Sequence, residues 1–518
     1  MEPEAFRSAA HEVVDLMADY LAGVERYPVL PDLEPGTLRG RFPASAPEQP
    51  EPLARILSDY SAQVEPNVTH WQHPGFFAYF PTTGSGPGIL GEMLMATLVA
   101  NAMLWRTSPI ATELEEVTVG WLRQAIGLPE DFEGLYTDTA STSSLIALGA
   151  ARGAATGGTA TTRGLAEQPA LRLYASDEAH SSIEKAAMTL GLGRDGLRRV
   201  AVNERFEMRP AQLQAAIDAD RAAGEQPFAV VATIGTTGST SVDPVGPIAR
   251  ICRQQKLWLH VDAAYAGATA ILPEMRAPFA GWEQADSIVI NPHKWLFTPL
   301  DCSLLLSRRM EDLRAAFSLV PEYLRTLDRD RPVRDFNEYT PQLGRRFRAL
   351  KLWFLLRYFG LEGLRRRIGF HLELAAALCG WIDAEQEAER LAPTPFSTVC
   401  FRWRPRRFAG RETEGAASAE LDDLNQALLE RVNRSGEVFL SHTRLSGRFT
   451  LRVAIGNLRT ERRHVERAWT LICEAGRTLD REGVTVGEGA TIGEGPTTSG
   501  AEGPPQQARH ERGGRGGH

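Results

Sequence analysis

Lysine occupies only four of the 57 Lys and Arg positions in this 518-residue chain: Lys185, Lys256, Lys294 and Lys351. Chemistry that needs an amine therefore has four candidates. Lys294 follows an apolar run in residues 286–303, DSIVINPHKWLFTPLDCS, between the imidazole of His293 and the indole of Trp295. Taken alone, that segment fits a surface-loop lysine equally well. Two other segments favour a reactive amine. In LWLHVDAAYAG, Asp262 ends an apolar strand, and the small residues after it let a flat group approach the backbone. A carboxylate there is costly unless a cation faces it, and a protonated pyridine nitrogen would serve; capping of the next helix is the plainer alternative. In YTDTASTSSLIALGAAR a strand runs into Thr139, Ala140 and Ser141 at a helix start. Free N–H groups and the helix dipole favour a phosphate at such a place, although Ser and Thr are also ordinary N-caps. An amine for a Schiff base, an anion beside a ring nitrogen and a phosphate cradle are together what pyridoxal phosphate requires. Lys185 and Lys351 fall in helical stretches and Lys256 in a polar stretch before a strand, which leaves Lys294.

These residues need a scaffold that brings them together. The middle of the chain repeats a short apolar run, a polar turn and a helical stretch. Residues 171–175 precede a helix from Ser181; residues 228–234 precede GTTGSTSVDP and a helix over 248–255. Residues 257–261 end at Asp262, and 287–290 end at Asn291. The alternation predicts an α/β fold with a mostly parallel central sheet, helices on both faces and ligands at the C-terminal strand ends. Residues 1–27 carry Phe6, Val13, Val14, Leu16, Met17, Tyr20 and Leu21 at helical spacing. Residues 28–52 are rich in Pro and Gly and read as an extended arm, with helix again over 53–64. Residues 344–359 form an amphipathic helix. Beyond them, strands over 397–403 and 448–455 and a helix over 421–432 suggest a smaller α+β unit. The expected division is an N-terminal helical and extended arm (1–84), a large cofactor-binding domain (85–374), a small C-terminal domain (375–482) and a disordered glycine-rich tail (483–518).

Composition removes other classes. Net charge −8, 43% hydrophobic and 24% charged residues describe an ordinary soluble protein without the basic stripe that nucleic acid calls for. No apolar run approaches the ~18 residues of a membrane span, and the longest, residues 93–105, is broken by Thr97 and Asn101. The first ten residues carry two glutamates before any basic residue, unlike a signal peptide. Cys252, Cys302, Cys379, Cys400 and Cys473 are odd in number and lack metal-ligand spacing, so they read as reduced thiols of a cytoplasmic protein with no metal site.

The segments HPGFFAYFPT, SPIATELE, DEAHSSIEKA, VATIGTTGSTSVDPV, WLHVDAAYAG, NPHKW and LGRRFRALKLWF resemble the group II pyridoxal-phosphate-dependent decarboxylases, the family of aromatic-L-amino-acid decarboxylase, over about residues 1–480. The resemblance implies a fold-type I, aspartate-aminotransferase-like homodimer with active sites at the subunit interface. It implies that Lys294 holds the cofactor as a Schiff base and that Asp262 pairs with the pyridinium nitrogen. His180 would stack on the ring and reach the substrate; by itself it reads as a helix-cap histidine. Ala140, Ser141 and Asn291 would hold the phosphate, Thr237 would lie near the ring hydroxyl, and His293 would touch the cofactor. Thr82, otherwise a turn threonine, would lie near the substrate carboxylate. Tyr323, in the charged and poorly periodic residues 317–334, matches a lid tyrosine that returns a proton after CO2 leaves. Relatives with phenylalanine there divert the intermediate to oxygen and form an aldehyde, so Tyr323 with His180 favours plain decarboxylation.

Departures from the animal enzymes fall at the substrate pocket. Asn101 and Met103, in VANAMLW, stand where those enzymes carry Ile and Phe that reach the neighbouring subunit's site. Gln342 replaces a Pro, Gly or Ser, and DTASTS replaces GSASEA. Asn101 would add a hydrogen-bonding group and Met103 a flexible wall. The expected enzyme is a cytoplasmic homodimer that releases CO2 from an L-amino acid, aromatic by default (tyrosine, dopa, tryptophan or phenylalanine), with an aliphatic substrate as the alternative. An aldehyde synthase, an aminotransferase and a non-catalytic cofactor-binding scaffold compete with it. Tyr323 argues against the first, HPGFFAYFPT and the lid tyrosine against the second, and the intact Lys, Asp, His and Tyr set against the third.

Overall fold

The apolar runs of the middle of the chain are buried on both faces, as a strand covered by helices on each side must be. In the computed structural model, which describes residues 1–319, 333–411 and 415–483, they pair into one seven-stranded sheet. Its strands are β1 (Glu133–Thr137), β2 (Leu171–Ser176), β3 (Leu197–Val200), β4 (Gln226–Thr233), β5 (Trp258–Asp262), β6 (Ser287–Ile290) and β7 (Ser303–Ser307). The spatial order is β1-β7-β6-β5-β4-β2-β3. β3, β2, β4, β5 and β6 run parallel, and β7 is antiparallel to both neighbours. The link from β6 to β7 holds only the four-residue helix Pro292–Trp295, too little for a crossover over the sheet face, so β7 returns antiparallel. β1 thereby points the same way as β6, and the C-terminal ends of six strands open on one edge.

A second, antiparallel sheet follows, ordered β10-β11-β9-β8, from β8 (Ala388–Arg390), β9 (Thr398–Trp403), β10 (Ser441–Leu445) and β11 (Arg448–Ala454). Helices Gly415–Asn433 and Arg462–Glu482 cover it, and Phe401, Trp403, Leu424, Leu428, Val465 and Ile472 share its core. Helix Arg348–Ala384 joins the two cores. It breaks at Gly360, whose φ of +61° lies in the left-handed region that favours glycine, and then carries Leu364 and Ile368 into the first core and Leu374 and Leu378 into the second. The helix expected from Gly344 begins only at Arg348. Residues before it are held extended by the Asn101–Arg346 bridge and by the Ala102 N–H donating to the Arg345 carbonyl at 2.8 Å.

Helix Pro3–Gly23 forms as its spacing predicts, yet none of its residues is buried. Residues 28–52 contain one 3-10 turn, Arg39–Arg41, as their proline content dictates. Glu25 anchors this arm, accepting from Arg463 at 2.8 Å. All five cysteines are unpaired, and no helix among the described residues is long and apolar enough to cross a membrane. The tail from residue 484 lies outside the described residues.

Candidate active site

Strand ends deliver the polar residues. Asp262 closes β5 and stands opposite Thr233 at the end of β4. Asn291 follows β6, and Lys294 lies on the short helix after it. Ala140 and Ser141 open helix Ala140–Ala155 after β1, His180 caps helix Ser181–Thr189 after β2, and Thr237 follows β4. These side chains and His293 line one cavity of about 220 Å³ with Phe80, Thr139, Gly235 and Tyr265.

Electrostatics differentiate the groups. Burial pushes the Lys294 ammonium down from its ordinary value near 10.5 to about 8; Asp262 opposes the shift and the Arg452 charge adds to it. The shift leaves a minor share of the amine unprotonated at neutrality and most of it above about pH 8. Asp262 is buried, and its Oδ1 accepts the Ala264 N–H at 3.0 Å. His180 turns its ring into the cavity, yet desolvation lowers its pKa, opposed by Asp262 and aided by Lys294 and Lys185. Its Nδ1 accepts the Ser182 N–H at 3.1 Å, which places the proton of the neutral ring on Nε2. Burial drives His293 down to about 3, and its Nδ1 accepts the Cys302 N–H at 2.9 Å.

The cavity fits pyridoxal phosphate on three counts. The Ala140 and Ser141 N–H groups sit in a first helical turn, where no intrahelical acceptor exists. Asn291 Oδ1 is buried without a hydrogen-bond partner among the described residues. Gly235 lines the cavity at φ +89°, and a Cβ on it would stand 2.7 Å from the Ala266 Cβ, so this part of the wall carries no side chain.

Comparison with known proteins decides the family. Residues 35–404 match the pyridoxal-dependent decarboxylase conserved domain. The chain belongs to the pyridoxal-dependent decarboxylases. The decarboxylase is 40% identical over 500 residues to the aromatic-L-amino-acid decarboxylase of Bos taurus, spanning 93% of this chain and 98% of that protein. It is 39% identical over 494 residues to tyrosine decarboxylase 4 of Petroselinum crispum, spanning 94% and 96%. The solved structure of Oryza sativa TDC with PLP and tryptamine matches with a TM-score of 0.88 at 36% identity, over 92% of this chain and 99% of that one. The fold is therefore fold-type I, the cofactor is pyridoxal phosphate, and the decarboxylase is a carboxy-lyase.

Not every expected residue reaches the cavity. Thr82 is half-buried on the loop after Phe80 and does not line it. Asn101 is exposed and Met103 half-buried, both away from it within one chain. The Asn101 carboxamide is already engaged: Oδ1 accepts the Arg345 N–H at 3.0 Å and Nδ2 donates to Met103 Sδ at 3.4 Å. Tyr323 lies outside the described residues.

Three residues at the site escaped the sequence reading. Phe80 lies 5.0 Å, ring centroid to Nζ, from Lys294. Gly235 supplies the bare stretch of wall described above. Arg452, on β11, is buried; its Nε donates to the Gly238 carbonyl at 3.2 Å, one Nη to the Tyr79 carbonyl, and Nη2 has no partner among the described residues. Its guanidinium carbon stacks 4.5 Å from the Phe80 centroid. An arginine inside the apolar strand TLRVAI was the available signal.

Proposed function

We propose that the decarboxylase converts an aromatic L-amino acid to its amine and CO2, and that it works as a homodimer. The aromatic reading rests on the near-full-length likeness to relatives named for tyrosine and for aromatic L-amino acids. The Phe80 ring beside Lys294 is consistent with a flat substrate. Bound pyridoxal phosphate supplies an electron sink for the charge left on Cα when CO2 departs.

The residues of the chain have separate tasks. Lys294 presents an uncharged amine to the cofactor carbonyl. Asp262 places a buried carboxylate where a ring N–H would need an acceptor. Ala140, Ser141 and Asn291 would hold the phosphate, Thr237 and His293 would border the ring, and His180, which lines the same cavity, would meet the ring and offer its Nε2 proton to the substrate. Tyr323 is assigned the return of the proton to Cα, and Thr82 the substrate carboxylate, on resemblance alone. Asn101, exposed on one chain, and Met103, half-buried there, are assigned to the partner's substrate pocket. The dimer is supported by apolar surface left open on one chain: Leu90, Leu94, Leu98 and Val99, at or just after helix Gly86–Leu98, are 54%, 47%, 62% and 83% exposed.

The test is CO2 release from a panel of L-amino acids with the organic product identified. Amine from tyrosine, dopa, tryptophan or phenylalanine is expected. Release mainly from valine or leucine would overturn the aromatic reading. The same assay on Tyr323→Phe is expected to yield less amine and more aldehyde and peroxide; amine alone at the parent rate would remove Tyr323 from the mechanism.

A further inference from the structure

A ladder of four rings leads away from Lys294. Phe80 stacks on Tyr265 at 3.9 Å, and Tyr265 stacks on Trp295 at 4.5 Å with planes 4° apart. Trp295 then lies over His371, with ring centroids 6.4 Å apart and planes at 12°. All four rings are buried. Stacked rings slide and rotate easily, so their registration needs directional bonds at the polar edges. Two such bonds exist. The Tyr265 hydroxyl lies 2.6 Å from Ser397 Oγ, and Trp295 Nε1 donates to His371 Nδ1 at 3.0 Å. Both anchors belong to the C-terminal part of the chain: His371 sits past the break in helix Arg348–Ala384, and Ser397 directly precedes β9.

We propose that His371 is a positioning residue for Lys294: it fixes the Trp295 indole, and through the Trp295–Tyr265–Phe80 stack it sets the wall against which the Lys294 amine lies. Trp295 adjoins Lys294 on a helix of four residues, which has no length to hold its own orientation. Burial keeps the imidazole neutral, with its pKa lowered to about 4, so Nδ1 stays an acceptor throughout the working range. A mere space-filling role would be met by any apolar ring; an acceptor aimed at an indole N–H is a choice of geometry. The inference rests on Lys294 being the cofactor lysine.

The test uses holoenzyme of His371→Phe, Trp295→Phe and the double variant, read by visible circular dichroism of the bound cofactor, kcat, KM and thermal midpoint. His371→Phe is expected to lower kcat about tenfold with KM changed less than about twofold, because a small misplacement of the amine costs rate more than binding. Its visible circular dichroism should change with it. The double variant should be no worse than Trp295→Phe alone, since donor and acceptor leave together. Parent-like kcat and circular dichroism in His371→Phe, or losses that multiply in the double variant, would overturn the proposal. If His371→Phe does not fold because the indole N–H is stranded, the double variant decides: a changed circular dichroism with reduced kcat supports the proposal, and parent values overturn it. Lys294→Ala is the control. Retained Schiff-base absorbance and turnover there would remove the site reading itself, whereas their loss beside a silent His371→Phe would remove only the positioning role.

Discussion

A buried lysine, an aspartate at a strand end and a helix start define what single residues do here. Lys294→Ala is expected to abolish both the Schiff-base absorbance and CO2 release, while Lys185→Ala and Lys256→Ala keep both. Lys351 differs, because it is fully buried and its Nζ lies 2.7 Å from Glu92 Oε2; its loss should lower stability. Lys294 also sets a pH dependence. The unprotonated amine is the nucleophile, so the rate at which the cofactor-free chain captures pyridoxal phosphate should rise about tenfold per pH unit and level off above about 8. Arg452→Met removes a cation that lowers the Lys294 pKa and should move that midpoint upward in stopped-flow absorbance. An unmoved midpoint would show that Arg452 does not act on the amine. Asp262 and Asn291 were legible because each closes an apolar run, and Lys294 because it is one of only four lysines and follows such a run closely. Arg452 and Phe80 were not, since their significance lies in meeting a residue far along the chain.

At the scale of elements, a fully buried ion pair sets how the helix around Arg348 begins. Arg345 Nη2 donates to Glu115 Oε1 at 2.6 Å and to the Tyr136 carbonyl at 2.8 Å, and Glu115 Oε1 also accepts the Tyr136 N–H. One guanidinium therefore ties helix Pro109–Ile126, β1 and the segment that holds Asn101. Arg345→Met strands a buried carboxylate and should cost about 3–5 kcal/mol in urea unfolding, with most of it recovered in Arg345→Met/Glu115→Leu. Equal losses in the single and double variants would refute the pairing. The periodic pattern foretold a helix here but placed its start too early, because hydrophobic spacing reports a face and not the tertiary bonds that hold residues 344–347 extended. Likewise β2, β4, β5 and β6 were legible as uninterrupted apolar runs. The antiparallel insertion of β7 between β6 and β1 was not, because strand order carries no local signal.

For the whole molecule, the open question posed by one chain is its exposed apolar surface. For the proposed homodimer, Leu94→Glu with Leu98→Glu should convert dimer to monomer by sedimentation and abolish turnover, since charge on the proposed contact face would be strongly unfavourable. A variant that stays dimeric and active would place the contact elsewhere. The helix Pro3–Gly23, amphipathic yet without a buried residue, adds to the surface a second copy would cover. Within the chain, the two cores communicate through helix Arg348–Ala384 and through Arg452, which reaches from the small sheet to the ring beside Lys294.

The amino-acid sequence by itself determined the chemistry available: an amine among few lysines, a carboxylate at a strand end, a phosphate-ready helix start, and apolar runs that must pack as a covered sheet. Those are properties of residue type and short-range order, and they are readable without coordinates. Only the tertiary structure decided that eight of the expected residues share one cavity while Thr82, Asn101 and Met103 do not line it. It alone brought Arg452 and the ring ladder that starts at Phe80 beside the same lysine. The reason is physical: desolvation, stacking and charge coupling act across space over a few ångströms, between atoms whose separation along the chain is unrelated to their distance in the fold.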